Sequence, residues 1–137
     1  MMNISPYVRK IQYYETDQMG IVHHSNYIRW LEETRSDFME KIGFGYQKAV
    51  LGVSCEYKSM IRFGDTVKIY LYITKMEALR MTLTYRIVDV ETGMLRAIGA
   101  SKHCYYHNLK RRPVALQKEL PELYEILKAA EGDTADE

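Results

Sequence analysis

Cysteine, tryptophan and proline are scarce here: two, one and three among 137 residues. Cys55 and Cys104 are too few for the multi-bridge framework that holds small secreted domains together, and both are expected to be reduced thiols. Long apolar runs are also missing. No stretch approaches the roughly 18–20 residues that cross a bilayer as a helix, so no membrane span is expected. Met1–Lys10 has no basic segment followed by an apolar run, which argues against export and for a cytoplasmic protein. The Asn3-Ile4-Ser5 sequon then carries no expectation of a glycan. Neither sign of charge is in excess, with 19 Lys and Arg against 18 Asp and Glu. A nucleic-acid binder normally shows a basic surplus or stripe, so no nucleic-acid partner is expected. There is no Gly-rich phosphate loop and no Ser/His/Asp elbow motif. No cofactor is expected.

Metal spacing is lacking too. On a strand, His103 and His107 would stand about 13 Å apart at about 3.3 Å per residue, too far for one ion. His23 and His24 are adjacent and lack further ligands nearby, so no metal site is expected. Cys55 and Cys104 fall in strand-like segments without an activating base and are expected to be packing residues.

What is present is a sheet-rich soluble composition. Hydrophobic residues are 47% and charged residues 27% of the chain, an ordinary globular balance. The length suits one core. Twelve tyrosines fit half-buried sheet surfaces, where one end of the ring is dry and the hydroxyl stays wet. A single domain is expected over 1–131, with 132–137 a frayed acidic tail.

Periodicity orders the elements. Tyr7–Tyr14 is expected to be a strand, and Glu15–Gly20 a break. Tyr27, Leu31, Thr34, Phe38 and Ile42 then step by three or four residues, one stripe of an amphipathic helix over Ser25–Ile42. Ser25 is the candidate N-cap and Gly43 the stop signal. Glu33, Arg29, Asp37 and Glu40 take the opposite face, and Trp30 is expected in the core or an interface. Strands follow at Val53–Arg62, Thr66–Thr74, Met81–Ile87 and Leu95–Tyr106. The cleanest alternates Val67, Ile69, Leu71 and Ile73 with Lys68, Tyr70 and Tyr72. Gly99 and Ala100 inside the last strand suggest a close approach by another element. Asn108–Pro113 is a basic loop, and Leu120–Ala130 a short helix opened by Pro121. A strand, a long helix, four strands in hairpin succession and a short helix make an α+β layout, a sheet around a helix. Its open edges make pairing between two copies reasonable.

Chemistry concentrates in Tyr13-Tyr14-Glu15-Thr16-Asp17-Gln18-Met19-Gly20-Ile21-Val22-His23-His24-Ser25-Asn26-Tyr27, between a strand end and a helix start. The first N–H groups of a helix lack intrahelical partners, and the helix dipole adds about half a positive charge. Such a terminus can hold a carbonyl oxygen becoming an oxyanion, where one donor is worth about 3 kcal/mol of barrier. A carboxylate on the preceding loop could act as nucleophile or as general base on water. Asp17 could equally be a loop aspartate making a turn or cap. Glu15 is expected to be solvated, and Gly20 to be a turn residue.

This run resembles the signature of the 4-hydroxybenzoyl-CoA thioesterase family and its acyl-CoA thioesterase relatives. The signature has an aromatic, an acid, a small residue, an aspartate, two variable positions, Gly-Ile/Val-Val, two aromatic or His positions and a later Tyr. The likeness extends to Gly64-Asp65 and to the passage from Arg112-Pro113 to Pro121. It implies the hotdog fold, a five-stranded antiparallel sheet wrapped around a long helix. It implies that Asp17 is the catalytic carboxylate and that the backbone N–H of His24 polarises the thioester carbonyl of an acyl-CoA. Tyr13, Gly20, His23 and Tyr27 are the expected substrate-binding positions of the motif. The family's first motif acid is usually Asp, and here it is Glu15. Relatives meet the CoA nucleotide with basic residues near the turn between the third and fourth strands, which corresponds to Lys75 and Arg80. Lys110, Arg111 and Arg112 form a second basic candidate. A homodimer or homotetramer with the groove at its interface is implied. The rival readings are a hotdog hydratase, a non-catalytic acyl-CoA or acyl-carrier-protein binding module, and a scaffolding oligomer.

Overall fold

The computed structural model describes residues 4–44 and 48–132. Strand β1 (Tyr7–Lys10) leads through a 3₁₀ turn at Tyr13–Glu15 to helix α1 (His24–Lys41). Strands β2 (Lys48–Tyr57), β3 (Thr66–Met76), β4 (Arg80–Asp89) and β5 (Leu95–His107) follow. The chain then forms β6 (Arg112–Val114), α2 (Leu116–Glu119) and α3 (Pro121–Ala129). All strand pairs are antiparallel. The sheet runs β1-β3-β4-β5-β2, with β6 added to β5. The expected five-strand sheet is present with β6 as an extra strand, formed where the basic loop was anticipated. The acidic tail beyond Gly132 and residues 45–47 lie outside the described residues.

α1 rests on the sheet through its apolar stripe. Tyr27, Leu31, Thr34 and Phe38 are buried, as the period required, and Trp30 is fully buried beside them. They meet Val67, Ile69, Leu83, Tyr85 and Ile87 from β3 and β4 in one core. Gly99 is the close-approach point. A Cβ built there would stand 2.9 Å from Leu31 Cδ1, so the helix lies on β5 at a place where only hydrogen fits. Gly43 ends the helix in the left-handed region at φ 81°. Its N–H donates to the Glu40 carbonyl and that of Phe44 to the Met39 carbonyl, satisfying two helix-end acceptors.

The bounds of β1 and β2, the cap of α1 and one strand pairing depart from sequence expectation, β2 running Lys48–Tyr57 where Val53–Arg62 was expected. β1 stops at Lys10, because the Gln12 N–H donates to the Glu15 carboxylate and folds Tyr13–Glu15 into a turn. The N-cap of α1 is His23 rather than Ser25, since the Ser25 N–H donates to His23 Nδ1 at 3.2 Å. Most consequentially, β2 does not form a hairpin with β3. It pairs with β5, two strands away from β3. The segment 58–65 must therefore cross the end of the sheet. The Arg96 carbonyl on β5 accepts the Lys58 and Ser59 N–H groups, which ends β2 at Tyr57. Ile61, in mid-crossing, is fully buried and its carbonyl accepts the Val22 N–H at 2.8 Å. This crossing draws the Asp17 loop to the sheet end.

Candidate active site

The loop that carries Asp17 is a small closed hairpin. The Asp17 N–H donates to the Ile21 carbonyl and the Gly20 N–H to the Asp17 carbonyl, at 2.8 and 3.0 Å. Thr16 and Val22 form a bridge across its base. Gly20 takes φ 76°, the left-handed position that follows a type I turn in a three-residue loop. Asp17 Oδ1 accepts the Met19 N–H at 2.8 Å. The turn role and the site role thus meet in one residue. Oδ1 holds the loop, while Oδ2 has no hydrogen-bond partner among the described residues.

Helix α1 starts beside this loop. The Ser25 N–H is taken by His23 Nδ1 and the Asn26 N–H by the His23 carbonyl. The His24 N–H, first of the helix, has no partner among the described residues. His23 and His24 stack with ring centroids 4.2 Å apart. Asp17, Ile21, His23, His24 and Tyr27 line one open groove of about 400 Å³. Its other wall is Tyr57, Lys58, Ser59, Met60 and Ile61, all from the end of β2 and the crossing segment. Tyr27 and Tyr57 meet edge to face at 4.7 Å. Burial first, then neighbouring Cys55 and Tyr57, push the Tyr27 hydroxyl up to about 12, so it stays protonated at neutral pH. Burial pushes the Cys55 thiol up to about 11, which keeps it protonated and a poor nucleophile.

Not every anticipated residue reaches the groove. Tyr13 stands on the outer face of its turn, 76% exposed, with its ring edge against Phe63. Gly20 shapes the loop but does not line the groove. Lys75 and Arg80 flank the β3–β4 turn. The groove lies beside the other end of β3, and Lys75 stands roughly 30 Å along the strand from its first residue, Thr66. Lys75 pairs with Glu77 there. Lys110 to Arg112 lie at the β5–β6 turn, also remote from Asp17 within one chain. Among the described lining residues Lys58 is the one lysine or arginine, and it pairs with Glu56 at 2.7 Å. Among the described residues no group of three or more His, Cys, Asp or Glu converges to hold a metal.

Two features escaped sequence reasoning. Glu15 is 2% exposed, not solvated, and accepts bonds from Arg9 Nη2, Trp30 Nε1 and the Gln12 N–H. Arg96 clamps the groove wall. Its guanidinium donates to Asp89, Ser59 Oγ and the Met60 carbonyl at 2.9, 3.3 and 3.0 Å. Asp89 in turn accepts the Glu91 and Thr92 N–H groups. Trp30 lies 15 residues from Glu15, and Ser59 and Met60 lie 37 and 36 residues from Arg96, so no local pattern announces those contacts.

Residues 11–124 match the model of the thioesterase-like superfamily. The chain belongs to that superfamily. A relative in Aquifex aeolicus is 34% identical over 125 residues, spanning 85% of this chain and 94% of its own length. The acyl-CoA thioester hydrolase YbgC of Escherichia coli is 28% identical over 119 residues, spanning 81% of this chain and 88% of its own. Among solved structures, a DHNA-CoA thioesterase from Staphylococcus aureus superposes with TM-score 0.84 at 28% identity, covering 91% of this chain and 89% of its own. The fold of this thioesterase-like chain is the hotdog. The Asp17 hairpin, the α1 start and the crossing segment all fall within the matched span.

Proposed function

We propose that this chain is an acyl-CoA thioesterase, cleaving the thioester to free acid and CoA. The observation that carries the reading is the convergence of Asp17 and the unpartnered start of α1 on one groove. A thioester carbonyl entering it would meet the His24 N–H at the positive end of an 18-residue helix. As the carbonyl carbon becomes tetrahedral, negative charge grows on that oxygen and its hydrogen bond from the N–H strengthens. Asp17 Oδ2 then attacks the carbon directly or takes a proton from an attacking water. A carboxylate can serve in either part. The CoA thiolate departs and is protonated; after direct attack, a water then hydrolyses the acyl–Asp17 anhydride, which releases the free acid and restores the carboxylate.

The groove is open, and β2 forms an edge of the sheet. Val50, Leu51, Val53 and Tyr57 on it are 40–51% exposed. Such an edge is suited to covering by another strand. In this reading a second copy pairs along β2, so that a cytoplasmic homodimer or tetramer completes the groove that Tyr57 begins. Lys75 and Arg80 would reach CoA phosphates only across such an assembly, and Lys58 is the candidate within one chain.

A rival reading is a non-catalytic acyl-CoA or acyl-carrier-protein binding module. The Met19 N–H bound to Asp17 Oδ1 favours it, because a turn role alone would account for that aspartate. Free-thiol release from benzoyl-, acetyl-, hexanoyl- and palmitoyl-CoA separates the two. Hydrolysis by wild type that collapses in Asp17→Asn, with the fold intact, supports the thioesterase. No release alongside a thermal shift with CoA supports the module.

A further inference from the structure

Glu15 is buried beside the groove without lining it, and the hydrolytic steps do not use it. Its carboxylate ties three elements together. Oε2 accepts Trp30 Nε1 of α1 at 2.7 Å and Arg9 Nη2 of β1 at 2.8 Å. Oε1 accepts the Gln12 N–H of the intervening turn at 2.8 Å. Its main-chain carbonyl is equally engaged. It accepts the His23 N–H and Asn26 Nδ2, both at 2.9 Å. The residue two places before Asp17 is thus bonded to the residue just before His24 and to the first two turns of α1.

We propose that Glu15 is a positioning residue, whose buried carboxylate sets Asp17 against the His24 N–H and thereby governs the rate of thioester cleavage. This rests on the thioesterase reading. The Asp17 hairpin bonds mostly to itself, through Asp17, Met19, Gly20 and Ile21. Those bonds fix its shape but not its place. Placement comes from its base, at the Ile21–Arg62 bridge, the Val22–Ile61 bond and Glu15. Of these, only Glu15 joins the base directly to α1. Two residues span at most about 7 Å, so Asp17 cannot drift far while Glu15 holds. Displacement of a reacting group by about 1 Å can cost about a hundredfold in rate.

The chemistry explains why an acid stands there. Among the described residues three donors converge on the side chain and no acceptor bonds to it. An ionised carboxylate offers acceptors only, whereas an amide must turn an NH₂ toward one of the donors. Arg9 balances the charge and also pairs with Glu33 at 3.1 Å. Trp30, the single tryptophan, gives the arrangement a reporter. Its indole N–H is on Glu15 and its ring is 5.2 Å from Tyr27 of the groove wall.

The test is a double-variant cycle on thiol release: wild type, Glu15→Gln, Glu15→Asp, Asp17→Asn and the pair Glu15→Gln with Asp17→Asn. Melting curves and tryptophan emission accompany it. Glu15→Gln is expected to lower kcat about ten- to a hundredfold, leave KM within about threefold, and shift the emission. Glu15→Asp, which keeps the charge, should recover part of the rate. In the Asp17→Asn background, Glu15→Gln should cost nothing further, because it acts through Asp17. Should Glu15→Gln fail to fold, Trp30→Phe withdraws the indole donor together with part of a buried ring, and with its melting curve as control it carries the same cycle through kcat and KM. Unchanged kcat in the folded variant, or an equal loss in both backgrounds, overturns the proposal and leaves Glu15 a residue of the fold. A wild type that hydrolyses no acyl-CoA overturns the thioesterase reading itself, which is a different result.

Discussion

The contact of Gly99 with Leu31 sets a quantitative expectation for Gly99→Ala. The added methyl would stand 2.9 Å from Leu31 Cδ1 and 3.4 Å from both Leu31 Cδ2 and Tyr85 Cδ1. Carbon atoms in contact prefer about 3.5–4.0 Å, so Leu31 or α1 must move by roughly 0.6–1 Å. Neither has room, since Leu31 and Tyr85 are both fully buried. Overpacking of this kind costs about 1–3 kcal/mol. The alanine also restricts the unfolded chain, which offsets about 0.4–1 kcal/mol. At the middle of both ranges a net loss of about 1 kcal/mol remains, or roughly 3–5 °C in Tm for a domain of this size. Urea unfolding measures it directly. The companion variant Leu31→Ala alone opens a cavity and costs about 2–5 kcal/mol. Combined with Gly99→Ala, the new methyl occupies part of that space. The double variant should therefore lose less than the sum of the singles by at least about 0.5 kcal/mol. A neutral Gly99→Ala, or strict additivity with Leu31→Ala, would refute the idea that this glycine exists to admit the helix.

Arg96→Ala should cost about 3–5 kcal/mol in urea unfolding, because it leaves the buried Asp89 carboxylate without its cation. Any folded fraction should show a raised KM, since Ser59 and Met60 of the groove wall lose their clamp. The Thr92 N–H first, and then Arg96, hold the Asp89 carboxyl below its ordinary value. A depressed folded-state value gives stability that is full above about pH 4 and is lost as pH falls through that lower value. Asp89→Asn should therefore flatten the acid limb of Tm against pH; an unaltered limb counts against the assignment. Gly20→Ala places a side chain at φ 76° and should lower stability by about 1 kcal/mol, with a larger effect on kcat than on KM as the Asp17 hairpin changes shape. Equal stability and turnover for that variant would show that the left-handed position is dispensable.

Local chemistry was legible from the chain alone. The apolar stripe from Tyr27 to Phe38 and the stop at Gly43 depend on residues a few places apart, and both stand in the structure. So do the alternation of Val67, Ile69 and Ile73, and the turn at Gly20. The Asp17 motif was legible as well, because its hairpin closes within residues 16–22. Tertiary structure decided the rest. Residues 58–62 look like strand, since Met60 and Ile61 are apolar, but Arg96 captures their backbone and directs them across the sheet end. That crossing carries β2 to β5 and builds one wall of the groove. Glu15 looks like a solvent-facing acid in an acidic, polar run. It is buried because Arg9, Gln12 and Trp30 bring it three donors from three elements. Periodicity reports which face of an element is dry. Where a polar side chain finds its partners, and which strand lies beside which, depend on contacts between segments far apart in sequence, and those exist only once the chain has folded.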